Sequence, residues 1–339
     1  MGGASASGGV RCVEYVAVEM SDAESTKTVN LTKGQDYTQC VIWGYQALAV
    51  DWTQSPVGNE HCAGGYIIDN SGTAAVKFTR GTHVDARSWY AMVVEFAPGV
   101  KIQSGVFNSQ AGVTNLDTTI DAVDLAKTFV LPAVGYAGTD SEGNDQNFLC
   151  YLTSTTNVRC QRQGGIDDGN IKGTVCVIED TNGDYFYVQS VTESIPAALQ
   201  DNDFTITSID PAASNLFYTV TTDQQNGAES LHSSIGKIHD ATTVRFTRAG
   251  IVLGYILTAS YFVVTWKDGT AVQRGSYNVT SAATAELISN DYSLGTPVSE
   301  TASVAHFTQV NNLALSANEG NADGHIESTG TIDFGLSLI

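Results

Sequence analysis

The sequence predicts an all-β protein built from tandem antiparallel β-sandwich repeats, three clear and a fourth diverged. Three observations carry that expectation. The first is self-similarity: "VKFTRGT" (Val76 to Thr82) recurs as "VRFTRAG" (Val244 to Gly250), with "VRCQRQG" beginning at Val158 between them, so the matched valines lie 82 and 86 residues apart. A fixed period of this kind is evidence about architecture before it is evidence about chemistry. The second is composition: 33 Gly, many Thr, Val and Tyr, and few pairings of Glu with Lys at helical spacing favour strands and turns. The third is the alternation of strand-length apolar runs with clusters of Gly, Asn, Asp and Ser.

Taken in order, residues 1–10, "MGGASASGGV", read as a flexible arm. The arm has neither the basic start nor the apolar core of a signal peptide, and Ala6 stands where a myristoylation signal needs Ser or Thr. Repeat 1 covers residues 11–105. It opens on "VRCVEYVAVEM" (Val10 to Met20), an alternating strand with no repeat before it, which completes a sheet of this unit or of a neighbouring chain. "TKTVNLTKGQDYTQCVIWGYQ" (Thr26 to Gln46) supplies a short strand, a polar kink and a second apolar strand. The phrase at Val76 follows, and then "SWYAMVVEFAPGVKIQSG" (Ser88 to Gly105), a strand, a Gly turn and the next strand.

Repeat 2, residues 106–190, answers with "DTTIDAVDLAKTFVLPAVGY" (Asp117 to Tyr136), the phrase at Val158, and "GTVCVIEDTNGDYFYVQS" (Gly173 to Ser190). Repeat 3, residues 191–275, answers with "DFTITSIDPAASNLFYTV" (Asp203 to Val220), the phrase at Val244, and "ASYFVVTWKDGTAVQRG" (Ala259 to Gly275). Repeat 4, residues 276–339, is the shortest; "NNLALSANEG" (Asn311 to Gly320) reads as its faded phrase, with Ala317 in place of the arginine, and "GTIDFGLSLI" as its last strand. Only "ALAVDW", "DARSWYAM" and "SIPAALQ" hint at helical turns. The uncharged run from Gly250 to Trp266 is long enough to test for a membrane span, but its counterpart in repeat 1 contains His83, Asp85 and Arg87, so it reads as two buried strands and no membrane span is expected.

Charge and chemistry-bearing residues narrow the function. Sixteen Lys plus Arg against 36 Asp plus Glu give a net charge of −20, which argues against nucleic-acid binding, where cations neutralise phosphates. Six cysteines form no Cys-x-x-Cys pair, so zinc-knuckle spacing is absent. Cys150 and Cys160 sit five residues either side of Thr155 in "CYLTSTTNVRC". On a hairpin they are directly opposed and are candidates for a disulfide; the alternative is two buried thiols. The six histidines show no metalloenzyme spacing, and no nucleophile elbow or phosphate loop occurs. The turn "DTNGD" offers Asp180, Asn182 and Asp184 as calcium ligands, but the position of the bidentate Glu in an EF-hand is Val191, and Asn-Gly turns are favoured on backbone grounds alone. No other cofactor and no catalytic residue is expected. The strand-end arginines Arg80, Arg162 and Arg248 recur without a recurring acidic or nucleophilic partner, so a structural role, hydrogen bonding to loop carbonyls or a carboxylate, is the economical reading.

The order of these phrases resembles the tandem β-sandwich repeats of tailed-bacteriophage virion proteins, of the tail-fibre and appendage type. Repeat 2 carries it best, with "TTIDAVDLAKTFV", "LTSTTNVRCQR", "VCVIED" and "YVQSV"; repeat 3 keeps "FTITSIDPAA", "TTVRFTR" and "AVQRG"; repeat 1 keeps "VNLTK", "VKFTRG", "VVEF" and "IQSG". The units are similar in outline to H-type lectin domains. The resemblance implies a non-enzymatic virion protein, a fibre, appendage, collar or surface decoration, assembled in the host cytoplasm as a homo-oligomer, with a trimer favoured, and with other virion proteins as partners. The alternative is a carbohydrate-binding adhesion module for a host-surface glycan, motivated by Trp43, Trp52, Trp89, Tyr136 and Trp266 as loop aromatics that stack on sugars, although most of them fall within alternating strands, where core packing is the simpler explanation. A depolymerase with paired carboxylates draws no support from the residues.

Overall fold

The computed structural model describes residues 9–21, 24–49, 63–80, 87–108, 115–136, 148–162, 171–196, 199–222, 234–248, 256–272, 274, 287–293, 321–328 and 331–337. Of the arm read as residues 1–10, residues 1–8 lie outside them; Val10 already belongs to the first strand, and the Gly9 N–H donates to Asp268. Among the described residues there is no α-helix. Three short 3-10 turns are present, Tyr37–Gln39, Leu125–Lys127 and Pro211–Ala213.

Unit 1 contains β1 (Val10–Met20), β2 (Thr26–Asn30), β3 (Cys40–Ala49), β4 (Ala63–Asn70), β5 (Thr73–Arg80) and β6 (Arg87–Phe96). Unit 2 contains β7 (Val100–Asn108), β8 (Asn115–Thr119), β9 (Thr128–Tyr136), β10 (Phe148–Ser154), β11 (Asn157–Arg162) and β12 (Ile171–Asp180). Unit 3 contains β13 (Phe186–Ile195), β14 (Asp201–Thr205), β15 (Ser214–Thr222), β16 (Ser234–Asp240), β17 (Thr243–Arg248) and β18 (Leu257–Trp266). The sheets are β1-β6-β3 with β2-β5-β4, β7-β12-β9 with β8-β11-β10, and β13-β18-β15 with β14-β17-β16. One antiparallel topology is therefore written three times: first-sixth-third strand in one sheet and second-fifth-fourth in the other. In the fourth repeat the described strands β19 (Leu287–Ser293), β20 (Asn321–Ser328) and β21 (Thr331–Ser337) pair as β19-β21-β20, the order of the second kind of sheet.

The pairing moves two boundaries. β7 pairs with β12 and β13 with β18, so unit 2 begins at Val100 and unit 3 at Phe186, ahead of the limits at 106 and 191 read from the sequence. A period fixes the repeat length but not where one repeat opens. β1 pairs with β6 and so completes unit 1's own sheet. In the fourth repeat β21 holds the fifth-strand position, so "TIDFGLS" is the counterpart of the recurrent phrase; Asn311 to Gly320, with Ala317, lies outside the described residues. The helical hints also give way: Ala47–Ala49 belong to β3, Arg87–Met92 to β6 and Ser194–Ile195 to β13. Of the uncharged run, Leu257–Trp266 form a single strand, and its first residues are not described. No helix of the described residues is long and apolar enough to cross a membrane.

Unit 1 joins unit 2, and unit 2 joins unit 3, through short turns in which Gly99 (φ 102°) and Gly183 (φ 75°) take left-handed conformations that a side chain resists, and Gly269 (φ 85°) does the same after β18. Each central strand of the first sheet is then buried on both faces. In β6, Ala91 and Val93 face unit 1's own sandwich core, while Met92, Val94 and Phe96 face a core shared by all three units. In β18, Leu257, Ala259, Tyr261 and Val263 face inward, and Phe262, Val264 and Trp266 face the shared core. Each fully buried aromatic or branched side chain contributes roughly 1.5–3 kcal/mol, so the shared core is a major part of the stability.

Candidate functional site

The junction of the three sandwiches is the most built-up place in the described structure. Six rings run through it in sequence. Phe96 and Trp43 of unit 1 lie 6.1 Å apart. Trp43 meets Phe217 of unit 3 edge-on at 5.0 Å, and Phe217 stacks on Phe129 of unit 2 at 5.2 Å. Phe129 meets Phe186 edge-on at 5.4 Å, and Phe186 meets Trp266 edge-on at the same distance. Offset and edge-to-face pairs at these distances add about 0.5–1.5 kcal/mol each beyond area burial. Hydrogen bonds accompany the rings. Thr174 Oγ1 donates to the Gly65 carbonyl oxygen of unit 1, and the Cys150 N–H donates to Thr219 Oγ1 of unit 3. The Gly9 N–H donates to Asp268 beyond β18, so units 1 and 3 meet directly as well. A cavity of about 130 Å³ remains where the units meet, lined by Trp43, Val130, Leu131, Pro132, Cys150, Phe217, Tyr218, Thr219 and Phe262. Among the described residues no charged side chain lines it.

Of the two readings of the aromatics, the structure favours core packing for two residues. Trp43 and Trp266, for which the sequence left a sugar-stacking loop role and core packing in a strand as alternatives, are only 6% and 5% exposed and belong to strands. A period-2 pattern assigns one face of a strand to the core and leaves the other to solvent; here the second face meets another unit. Trp52 lies outside the described residues, as do the side chains of Trp89 and Tyr136.

Arg80, Arg162 and Arg248 each end a strand, β5, β11 and β17. Arg248 is 2% exposed, and its Nη2 donates to the Ile195 carbonyl oxygen at 2.6 Å, tying β17 to the end of β13. The side chains of Arg80 and Arg162 are not described. Asp180 is fully buried. Its two oxygens accept the backbone N–H groups of Gly183, Tyr185 and Phe186 at 2.6–3.0 Å. That role, closing the turn into unit 3, accounts for an aspartate here without a cation; Asn182 and Asp184 are exposed. Among the described residues no group of three or more His, Cys, Asp or Glu side chains is placed to hold a metal ion. Cys150 and Cys160 are register partners, each 1% exposed, with sulfurs 3.0 Å apart as free thiols. The turn is Thr155–Thr156, and an irregularity between Leu152 and Ser154 restores the opposition.

Sequence reasoning missed three recurrent polar joints. Each first strand reaches across to the segment after the second. Gln103 exchanges two hydrogen bonds with the Asp121 backbone at 2.7 and 3.1 Å, and Gln189 does the same with Thr207 at 2.8 and 2.9 Å. In unit 1 the position is Glu14, which accepts from the Thr32 N–H and hydroxyl, the Lys33 N–H and the Gln35 amide. Burial works to raise Glu14's pKa, but these hydrogen bonds outweigh it and hold the carboxyl below its ordinary value. The second joint caps the 3-10 turns. Asp36, Asp124 and Asp210 accept from Thr38, Ala126 and Ala212, and Glu95 and Glu179 accept the cap N–H in units 1 and 2. The third is a bidentate pair across the second and fifth strands, Arg159 with Asp117 and Arg245 with Asp203. The glutamine signal was present in the recurrent Val-Gln phrase, and its partners lie in the recurrent phrases "TTIDAVD" and "FTITSID", but the positions that pair, Asp121 and Thr207, differ in residue type because only their backbone takes part.

The chemistry of this arrangement is cohesive: aromatic burial, backbone capping and cross-strand pairing. No protein-family model matches the chain, and no curated protein is significantly similar to it.

Proposed function

We propose that the protein is a non-enzymatic structural part of a tailed-phage virion, a fibre, appendage or surface decoration that assembles as a homo-oligomer, with a trimer favoured, and with other virion proteins. The observation that supports this reading is the shared aromatic core. Three sandwiches devote the second face of their central strands to one another, which makes a stiff block out of repeats that would otherwise swing on short linkers. A stiff acidic block is suited to carrying load and staying soluble before assembly. The binding alternative draws on loop aromatics, and the two tryptophans among them that are described are committed to the core.

The test is direct. Particles purified from the culture that expresses this gene are analysed by quantitative mass spectrometry, and the isolated protein is sized by light scattering. The expected result is a fixed copy number per particle and a mass in solution that is a multiple of 35.9 kDa. A protein absent from the particles and monomeric at micromolar concentration would overturn the proposal.

A further inference from the structure

We propose that Cys150 and Cys160 are a redox site, which a small-molecule disulfide closes into a cross-strand disulfide. Three observations converge on it. The two residues are direct register partners on β10 and β11, and directly opposed residues of an antiparallel pair have Cα atoms about 4.5–5.5 Å apart, inside the range a disulfide spans. Their sulfurs already face each other at 3.0 Å, with both side chains 1% exposed. Cys150 also lines the junction cavity, and among the described residues that line it Cys160 is absent, so Cys150 is the member of the pair nearer the junction.

The exchange balances. Cys150 loses its proton, and its thiolate attacks one sulfur of the small disulfide; a mixed disulfide forms, and one small thiolate leaves and takes up a proton. Cys160 then loses its proton and attacks the Cys150 sulfur; the protein disulfide forms and the second small thiolate leaves and is protonated. Two protein thiols are oxidised by two electrons, and the small disulfide is reduced to two thiols. Burial, with the facing Cys160, pushes the Cys150 thiol well up, so the first step is slow at neutral pH and the product, once made, is shielded.

The crosslink has a place in the assembly. β10 is the strand of unit 2 whose Cys150 N–H is bound by Thr219 of unit 3. Pinning β10 to β11 therefore stiffens the junction itself, after folding and without new contacts.

The full chain, purified reduced, is incubated with oxidised glutathione, its remaining thiols are alkylated, and it is digested with trypsin. Cleavage after Arg159 separates the two cysteines, so the disulfide joins the peptides 128–159 and 160–162. The expected result is that linked pair, about 2 Da below the sum of its parts and lost on reduction, with a melting temperature raised by about 5 °C or more. In Cys160→Val, glutathione is expected to remain on Cys150 as the mixed disulfide. Recovery of both cysteines as alkylated thiols would overturn the proposal, as would glutathione on Cys150 of the unaltered chain without closure, or Cys150 joined to another cysteine. The wild-type peptide map decides even if the variant fails to fold.

Discussion

Units 1 and 3 fold the same six strands in the same order, yet they fasten equivalent joints with different chemistry. Where unit 3 uses the neutral Gln189, unit 1 uses the buried carboxylate Glu14. Where unit 3 sets Arg245 against Asp203, the register of unit 1 sets Lys77 against Thr28, and Lys77 leans over the Tyr66 ring instead. The topology requires only that certain backbone N–H groups find acceptors and that the two sheets stay in register. Several side chains meet that requirement, but they differ in what disturbs them. A carboxylate joint is sensitive to acid, an amide joint is not, and an exposed ion pair is sensitive to salt.

The largest effect is expected where the two units are held together. Phe129 of unit 2 lies between Trp43 of unit 1 and Phe186 of unit 3 and is fully buried. Phe129→Ala is expected to cost about 3–5 kcal/mol and to split the urea transition, because the units then unfold without waiting for one another. Phe78→Ala in unit 1 or Phe246→Ala in unit 3 removes a ring of the same burial from a single sandwich core and is expected to cost a similar amount within its own unit. Tryptophan fluorescence reads both sides, since Trp43 and Trp266 belong to different units. A shifted but unsplit transition in Phe129→Ala would mean that the remaining junction contacts suffice for coupling.

How much of this was legible in the sequence follows from the same contrast. The recurrent phrase was readable because Val76, Val158 and Val244 all point into their own sandwich and are 0–1% exposed; a fixed inward face writes a fixed apolar pattern. The continuous run "YFVVTW" in β18 also signalled a strand buried on both faces, but the run does not say what covers the second face. The placement of Trp43 and Trp266 therefore could not be read from it. The Gln103 and Gln189 joints depend on a partner 18 residues away that contributes only backbone, and backbone has no sequence; the Glu14 joint adds the Thr32 hydroxyl and the Gln35 amide, which the other two joints do not share.

The second effect concerns these joints. Glu14's folded pKa lies below its ordinary value. The joint's stability is therefore fully present above the unfolded value of about 4.3 and is lost as pH falls through the folded value. Glu14→Gln is expected to cost about 1–2 kcal/mol at pH 7, because the new amide nitrogen faces the Lys33 N–H and the Gln35 amide where an oxygen accepted both. The variant should then lose less stability than the wild type as pH drops from 6 to 3. Gln189→Glu gives the reverse: a carboxylate facing the Thr207 carbonyl oxygen, destabilising at pH 7 and relieved by protonation. Urea midpoints across that pH range check both, and parallel curves for wild type and Glu14→Gln would remove the charged joint as the source of unit 1's acid sensitivity.

The smallest effect belongs to the exposed pair. Arg245 grips Asp203 through two parallel hydrogen bonds at 2.6 and 2.7 Å, and those bonds hold the Asp203 carboxyl below the usual range. Both groups lie on the outer face of the β14-β17-β16 sheet, where water and salt compete for them. Asp203→Asn is therefore expected to lower the melting temperature only slightly, and the deficit should shrink as salt rises from low to molar concentration. The comparison with unit 1 sharpens the test. Thr28 and Lys77 occupy the same register positions, so Thr28→Asp with Lys77→Arg builds the pair where it is missing. If the pair matters for register alone, the graft leaves stability unchanged at every salt concentration. If the two hydrogen bonds contribute to stability, the graft gains at low salt what Asp203→Asn loses, and both differences vanish together as the charges are screened.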